Sequence, residues 1–242
     1  MTKTQTAEVE AIGLLESGFI WKVFYVCAAL ALLSIAISGA GRLLGRSIAM
    51  AGHTDDPTPA EIVNGNNVLA VPRNMIRFEN ARHAGVTTRL DLYMRWPDLG
   101  GYTDSARDDF NHAGDAPIVF ATITERMMSR DMSGRFEPIY SQLTAPTGAT
   151  EAGDLAVRTF TKASGYMNEV LLTAPLSGGQ VYAVRCLDTA AAAQSLTPCE
   201  RDIHLGDDLS VSYRFPRSLL ADWKALDAAV ASRVAGMIRT AR

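Results

Sequence analysis

Apolar positions along the chain fall into three patterns, and each predicts a different kind of element. Over residues 23–41 (VFYVCAALALLSIAISGAG) the pattern is continuous, with no charge between Lys22 and Arg42. As a helix this run spans roughly 28 Å at about 1.5 Å per residue, close to the hydrocarbon thickness of a bilayer. Trp21 and Tyr25 lie near its start, where amphipathic rings favour the membrane interface. A buried core helix seldom carries so long an uncharged run bounded at both ends by cations. The competing reading is a cleaved signal peptide, because Ser38, Gly39 and Ala40 are the small residues a signal peptidase needs. The run is long for that role, so it is read as an uncleaved single-pass signal-anchor. Small residues recur along it at spacing four (Ser34 and Ser38, Ala36 and Ala40, Gly41 and Gly45), which leaves open a homo-oligomer formed through this helix.

Beyond residue 61 the pattern changes to period two. In RLDLYMRW (residues 89–96), Leu90, Leu92, Met94 and Trp96 point one way, and Arg89, Asp91, Tyr93 and Arg95 the other. That predicts a strand with one dry face, as in an antiparallel sheet. PIVFATIT (117–124) is apolar on both faces and predicts a central strand. LAVRTFTK (155–162), YMNEVLLT (166–173) and QVYAVRCL (180–187) follow, joined by turns containing Gly165 and Ser177-Gly178-Gly179. LSVSYRFP (209–216) closes the series, and residues 67–78 add a strand that Pro72 confines to an edge or bulge.

Helical spacing supplies the third pattern. Met132, Phe136, Ile139, Tyr140 and Leu143 predict a helix over 129–143, which Gly134 and Pro138 shorten or kink. After Pro216, the stripe Leu219, Trp223, Leu226, Val230, Val234 and Met237 predicts an amphipathic C-terminal helix of six or seven turns. Its simplest use is to cover the dry face of the sheet. The expected fold is therefore α+β: a single N-terminal transmembrane helix, then a mostly antiparallel sheet with a long C-terminal helix packed on it. The expected organisation is a cytoplasmic N-terminal segment (1–22), the membrane helix (23–41), a juxtamembrane segment and linker (42–61), and a periplasmic domain (62–242). The linker's AGHTDDPTPAE opposes regular structure. About ten such residues reach roughly 15–20 Å as a flexible coil.

Composition changes this picture little. The 242 residues are 48% hydrophobic and 20% charged, with a net charge of −3, which is ordinary for a globular chain and gives no basic excess for nucleic acid. Positive charge does not orient the anchor, since Lys3 and Lys22 on one side balance Arg42 and Arg46 on the other. The cysteines carry that argument. Cys27 lies inside the membrane run. Cys186 ends a predicted strand and Cys199 precedes the last one, so a Cys186–Cys199 disulfide is expected, and with it an oxidising, extracytoplasmic compartment. Two buried free thiols, on a cytoplasm-facing domain, are the alternative.

Candidate chemistry is sparse. His53, His83, His112 and His204 match no metal-ligand or catalytic spacing, and no Walker loop, dinucleotide fingerprint or nucleophile elbow occurs. Asp104, Asp108, Asp109 and Asp115 cluster in a Gly- and Pro-rich segment that reads as a solvated loop, and Asp207-Asp208 as a turn. Arg73, Arg77, Arg82, Arg89 and Arg95 make a moderately basic stretch that could face anionic lipid or a partner. No catalytic residue, metal site or cofactor is expected. The implied function is an inner-membrane-anchored accessory, assembly or interaction component of an envelope complex, with the bilayer and a membrane or periplasmic protein as partners. An envelope hydrolase assembled from His83, His112 and the acidic loop is the alternative.

Overall fold

The computed structural model describes residues 17–50, 52–111 and 116–240. They form two compact units, Met1–Ala51 and Gly52–Arg242. The first contains one helix, Ser17–Met50, and its stretch Trp21–Gly41 is long and apolar enough to cross a membrane. Phe24, Leu30, Leu33 and Ile35 on it are all exposed, so among the described residues nothing in that unit covers its apolar surface.

The second unit is an α+β domain of two sheets. The small sheet has the order β2-β1-β3, with β1 Pro59–Asn64, β2 Asn67–Pro72 and β3 Gly85–Val86. The large sheet is antiparallel and has eight strands in the order β4-β5-β11-β10-β9-β8-β7-β6. These are β4 Arg89–Arg95, β5 Ile118–Glu125, β6 Thr144–Glu151, β7 Leu155–Phe160, β8 Glu169–Pro175, β9 Val181–Leu187, β10 Cys199–Leu205 and β11 Leu209–Phe215. Period-two alternation does what it predicts: Leu90, Leu92, Val119, Ala121, Ile123, Val211, Tyr213 and Phe215 are buried in one core. Against that face lies the C-terminal helix, which buries Trp223, Leu226, Val230 and Val234. The Trp223 ring sits 4.1 Å from that of Tyr182, and its Nε1 donates to the Gly153 carbonyl at 3.1 Å. Each such side chain contributes roughly 1.5–3 kcal/mol by leaving water.

Several expected elements differ. The C-terminal helix is shorter than six or seven turns: a 3₁₀ stretch, Arg217–Asp222, precedes an α-helix over Trp223–Ala235. The segment 129–143 is not one helix but bends and turns, then a π-turn at Phe136–Tyr140 and a single turn at Ser141–Leu143. Pro138, which cannot donate to the helical ladder, lies inside the π-turn. Strands β1, β3, β6 and β10 have no counterpart in the expected series. Pro59 opens β1 within the supposed linker, a position where a strand tolerates proline.

The rest of that linker is seated rather than coiled. The Asn74 amide donates to the Asp56 carbonyl at 2.9 Å, the Arg73 amide to Thr58 at 3.1 Å, and the Arg73 guanidinium pairs with Asp56. His53 stacks on Tyr102 with ring centroids 4.6 Å apart. Its Nδ1 lies 3.0 Å from the Tyr93 hydroxyl and its Nε2 3.2 Å from Asn111 Oδ1. Residues 53–58 thus form a strap laid on the domain, and the coil reach expected for them does not apply.

Candidate partner-binding face

The large sheet is continuous except in its middle. Seven register pairs join β10 to β11, but only two, Cys199↔Cys186 and Glu200↔Arg185, join β10 to β9. At that short contact the two cysteine sulfurs are bonded, closing a sequence separation of 13 residues. Beyond it the strands diverge. Arg201, 3% exposed, occupies the gap from the core side. It donates to the Ala183 carbonyl at 2.8 Å, to Ser133 Oγ at 2.9 Å, and through Nε to Asp227 at 2.8 Å. Tyr213 donates to the same carboxylate at 2.6 Å. Burial works against the Arg201 charge, yet the hydrogen bond to Asp227, helped by Tyr213 and Tyr182, more than compensates and the Arg201 pKa rises. A buried charge without that partner would be costly. The segment after β5 closes the gap from the outer side, where Met132 and Tyr140 pack on Leu171 and Ala183.

A groove of about 270 Å³ runs on this outer face. Its floor carries Glu200, Asp202 and His204 of β10 with Ser210 and Ser212 of β11. Alternation places them there, since their neighbours Cys199, Arg201 and Ile203 point into the core. Arg135 pairs with Asp202, while Arg185 pairs with Glu169 at 3.5 Å and Glu200 at 3.2 Å. Burial pushes the Asp202 carboxyl above its usual range; Arg135 draws it back and Asp131 adds to the rise. At one end of the groove stand Met127, 96% exposed, and Met128, 51% exposed.

The same two methionines and Glu125 also line a second hollow, of about 370 Å³, with Gly65, Asp207 and Asp208. Asn67 builds this corner by joining two turns: its Nδ2 donates to the Asp207 carbonyl at 2.6 Å and its Oδ1 accepts from the Asp207 amide at 3.0 Å. Gly206 is required there, because it has φ +61° and a Cβ would stand 2.7 Å from Asn67 Oδ1.

The remaining sequence candidates do not converge. His83 is exposed, with Nδ1 3.0 Å from the Ala84 carbonyl. His112 and Asp115 lie outside the described residues. Asp109 pairs with Arg95 at 3.3 Å, and Asp104 opens a short 3₁₀ turn. Arg89 pairs with Asp91 at 2.8 Å, and Arg82 donates to the carbonyls of Ile76 and Arg77. Most of the basic stretch is therefore spent inside the domain. Among the described residues, no group of three His, Cys, Asp or Glu side chains could hold a metal. The groove itself escaped the sequence reading because β10 did: Arg201 occupies an inward position that the alternation reserves for an apolar residue. The exposed Met127-Met128 pair was the available signal.

An α+β domain with an eight-stranded antiparallel sheet and one covering helix is the class these elements define. In solved structures the fold is shared by an immunity protein of the Stenotrophomonas maltophilia type IV secretion system, with a TM-score of 0.52, 15% identity, and 78% of this chain and 96% of that one covered. The iron-regulated outer membrane lipoprotein FrpD of Neisseria meningitidis matches with a TM-score of 0.46 and 8% identity over the same shares. No protein-family model and no curated protein sequence matches the chain.

Proposed function

We propose that this protein is a single-pass, inner-membrane-anchored binding protein whose periplasmic domain engages a protein partner through the groove on the outer face of its large sheet. The observation that carries this is the exposed Met127-Met128 pair beside a polar groove, on the face of the large sheet opposite the C-terminal helix. A large exposed apolar side chain beside convergent polar groups is the make-up of an interface centre, not of a solvated loop. The apolar helix supports the anchored part of the reading, and the bonded cysteines support an oxidising compartment. The fold shared with an immunity protein of a type IV secretion system is in keeping with a partner held by contact and not turned over. An anchor confines such a domain to the membrane plane and raises its effective concentration there.

Reporter fusions at residue 60 and at the C-terminus test the placement. A periplasm-dependent reporter should be active at both points; activity of a cytoplasm-only reporter at both would overturn it.

A further inference from the structure

The Met127-Met128 pair separates two hollows that are both acidic. Across the pair, five carboxylates (Glu125, Glu200, Asp202, Asp207, Asp208) meet four guanidiniums: Arg126, Arg135 and Arg185 on the lining, and Arg214, which pairs with Glu200 at 2.6 Å. Glu125 lines both hollows and has no cationic partner among the described residues. Among the described residues, the Asp207 side chain takes a hydrogen bond from Asn66, at 3.4 Å, and has no cationic partner. Met128 Sδ is 2.7 Å from an Arg135 nitrogen, whereas Met127 stands free at 96% exposure. Thioether side chains are flexible and polarisable, and they adapt to apolar surfaces of varied shape. Carboxylates around them select for positive charge and against negative.

From this geometry we infer that the ridge takes a cationic, amphipathic segment of the partner protein. Its apolar side chains rest on Met127 and Met128, and its lysines or arginines reach Glu125 and Asp207 on either side. The inference deepens the partner-binding reading above and rests on it for the identity of the site. The excess of carboxylates disfavours an acidic segment and an anionic bilayer surface alike.

The test uses the full chain in zwitterionic phosphatidylcholine nanodiscs, with its nine methionines labelled as ¹³C-methyl groups. The probes are two pentapeptides, acetyl-Arg-Leu-Arg-Leu-Arg-amide and acetyl-Glu-Leu-Glu-Leu-Glu-amide. Saturable shifts of the Met127 and Met128 methyl signals are expected with the cationic peptide only. Glu125→Gln with Asp207→Asn should weaken that binding about fivefold while the buried Met75 and Met94 signals, which report folding, stay in place. Equal shifts with both peptides, or no shift at 127 and 128 with either, would overturn the inference. A photo-cross-linker at position 127 separates the two claims. Partner capture that the cationic peptide fails to compete sinks the cationic segment alone, whereas peptide binding with no capture in cells sinks the partner-binding reading alone.

Discussion

Cys186 and Cys199 are register partners on β9 and β10, with Cα atoms 4.0 Å apart and their sulfurs bonded. They sit at one of only two register pairs that join the halves of the large sheet. The bond therefore pins the one place where backbone pairing is thin. In chain-entropy terms a loop of this length contributes about 3 kcal/mol. Replacing both cysteines by serine should lower stability by about that amount in urea unfolding. Hydrogen exchange should accelerate in β9 and β10 before β4 or β5. In the native protein, non-reducing mass spectrometry should find the pair bonded; free alkylation of both thiols without denaturant would contradict this.

Arg201 should be far more sensitive than any surface charge. Arg201→Ala leaves the partly buried Asp227 facing Tyr213 without its cation, and empties the buried space the guanidinium fills. A loss of about 3–5 kcal/mol is expected, the usual cost of breaking a buried pair on one side. Arg201→Met combined with Asp227→Leu should recover most of it, read from the urea midpoint at unchanged slope.

Asn64 makes the opposite prediction. It is fully buried in β1, and both its amide atoms lack a hydrogen-bond partner among the described residues. Asn64→Leu, with the same number and branching of side-chain heavy atoms, removes an uncompensated desolvation of about 1–3 kcal/mol. A rise in thermal midpoint is expected, and a fall would show that the amide is satisfied in solution.

The His53 strap should respond to pH. Burial lowers the His53 pKa below 6.5; the Asn111 contact opposes this and the nearby Arg82 charge adds to it. A histidine depressed on folding favours the neutral form. Its contribution is complete above the unfolded value of about 6.5 and is lost as pH falls from there through the folded pKa. The thermal midpoint should thus drop faster between pH 6.5 and 5 in the native chain than in His53→Gln. Parallel profiles would show that the ring is not seated as described.

Much of the fold was legible because burial on one face writes itself into alternation. Leu90-Leu92-Met94 and Leu209-Val211-Tyr213-Phe215 declared their strands, and Trp223-Leu226-Val230-Val234 declared the covering helix. What stayed hidden breaks that rule for a physical reason. In β10 the inward Arg201 is made tolerable only by Asp227, 26 residues away, which no local pattern reveals. β6 is an exposed edge strand with Pro146 and Gly148, so it carries no apolar signal. The strap looked like a linker because Gly52, Pro57 and Pro59 punctuate it, while the partners that hold it, Arg73 and Tyr102, lie later in the chain. The groove combines residues from the legible strands β5, β9 and β11 with β10 and the segment 126–143, and the last two are the elements the alternation and helical spacing misjudge.

The central claim is that the outer face, at its methionine ridge, holds a protein partner. The direct measurement places a photo-cross-linking residue at Met127 in the full chain, in intact cells of the native host. A control chain carries it at Lys224, on the exposed side of the C-terminal helix. One defined protein adduct at position 127, absent at 224 and lost when Glu125→Gln and Asp207→Asn are added, is the predicted result. No adduct at 127, or the same adducts at both positions, would contradict the account.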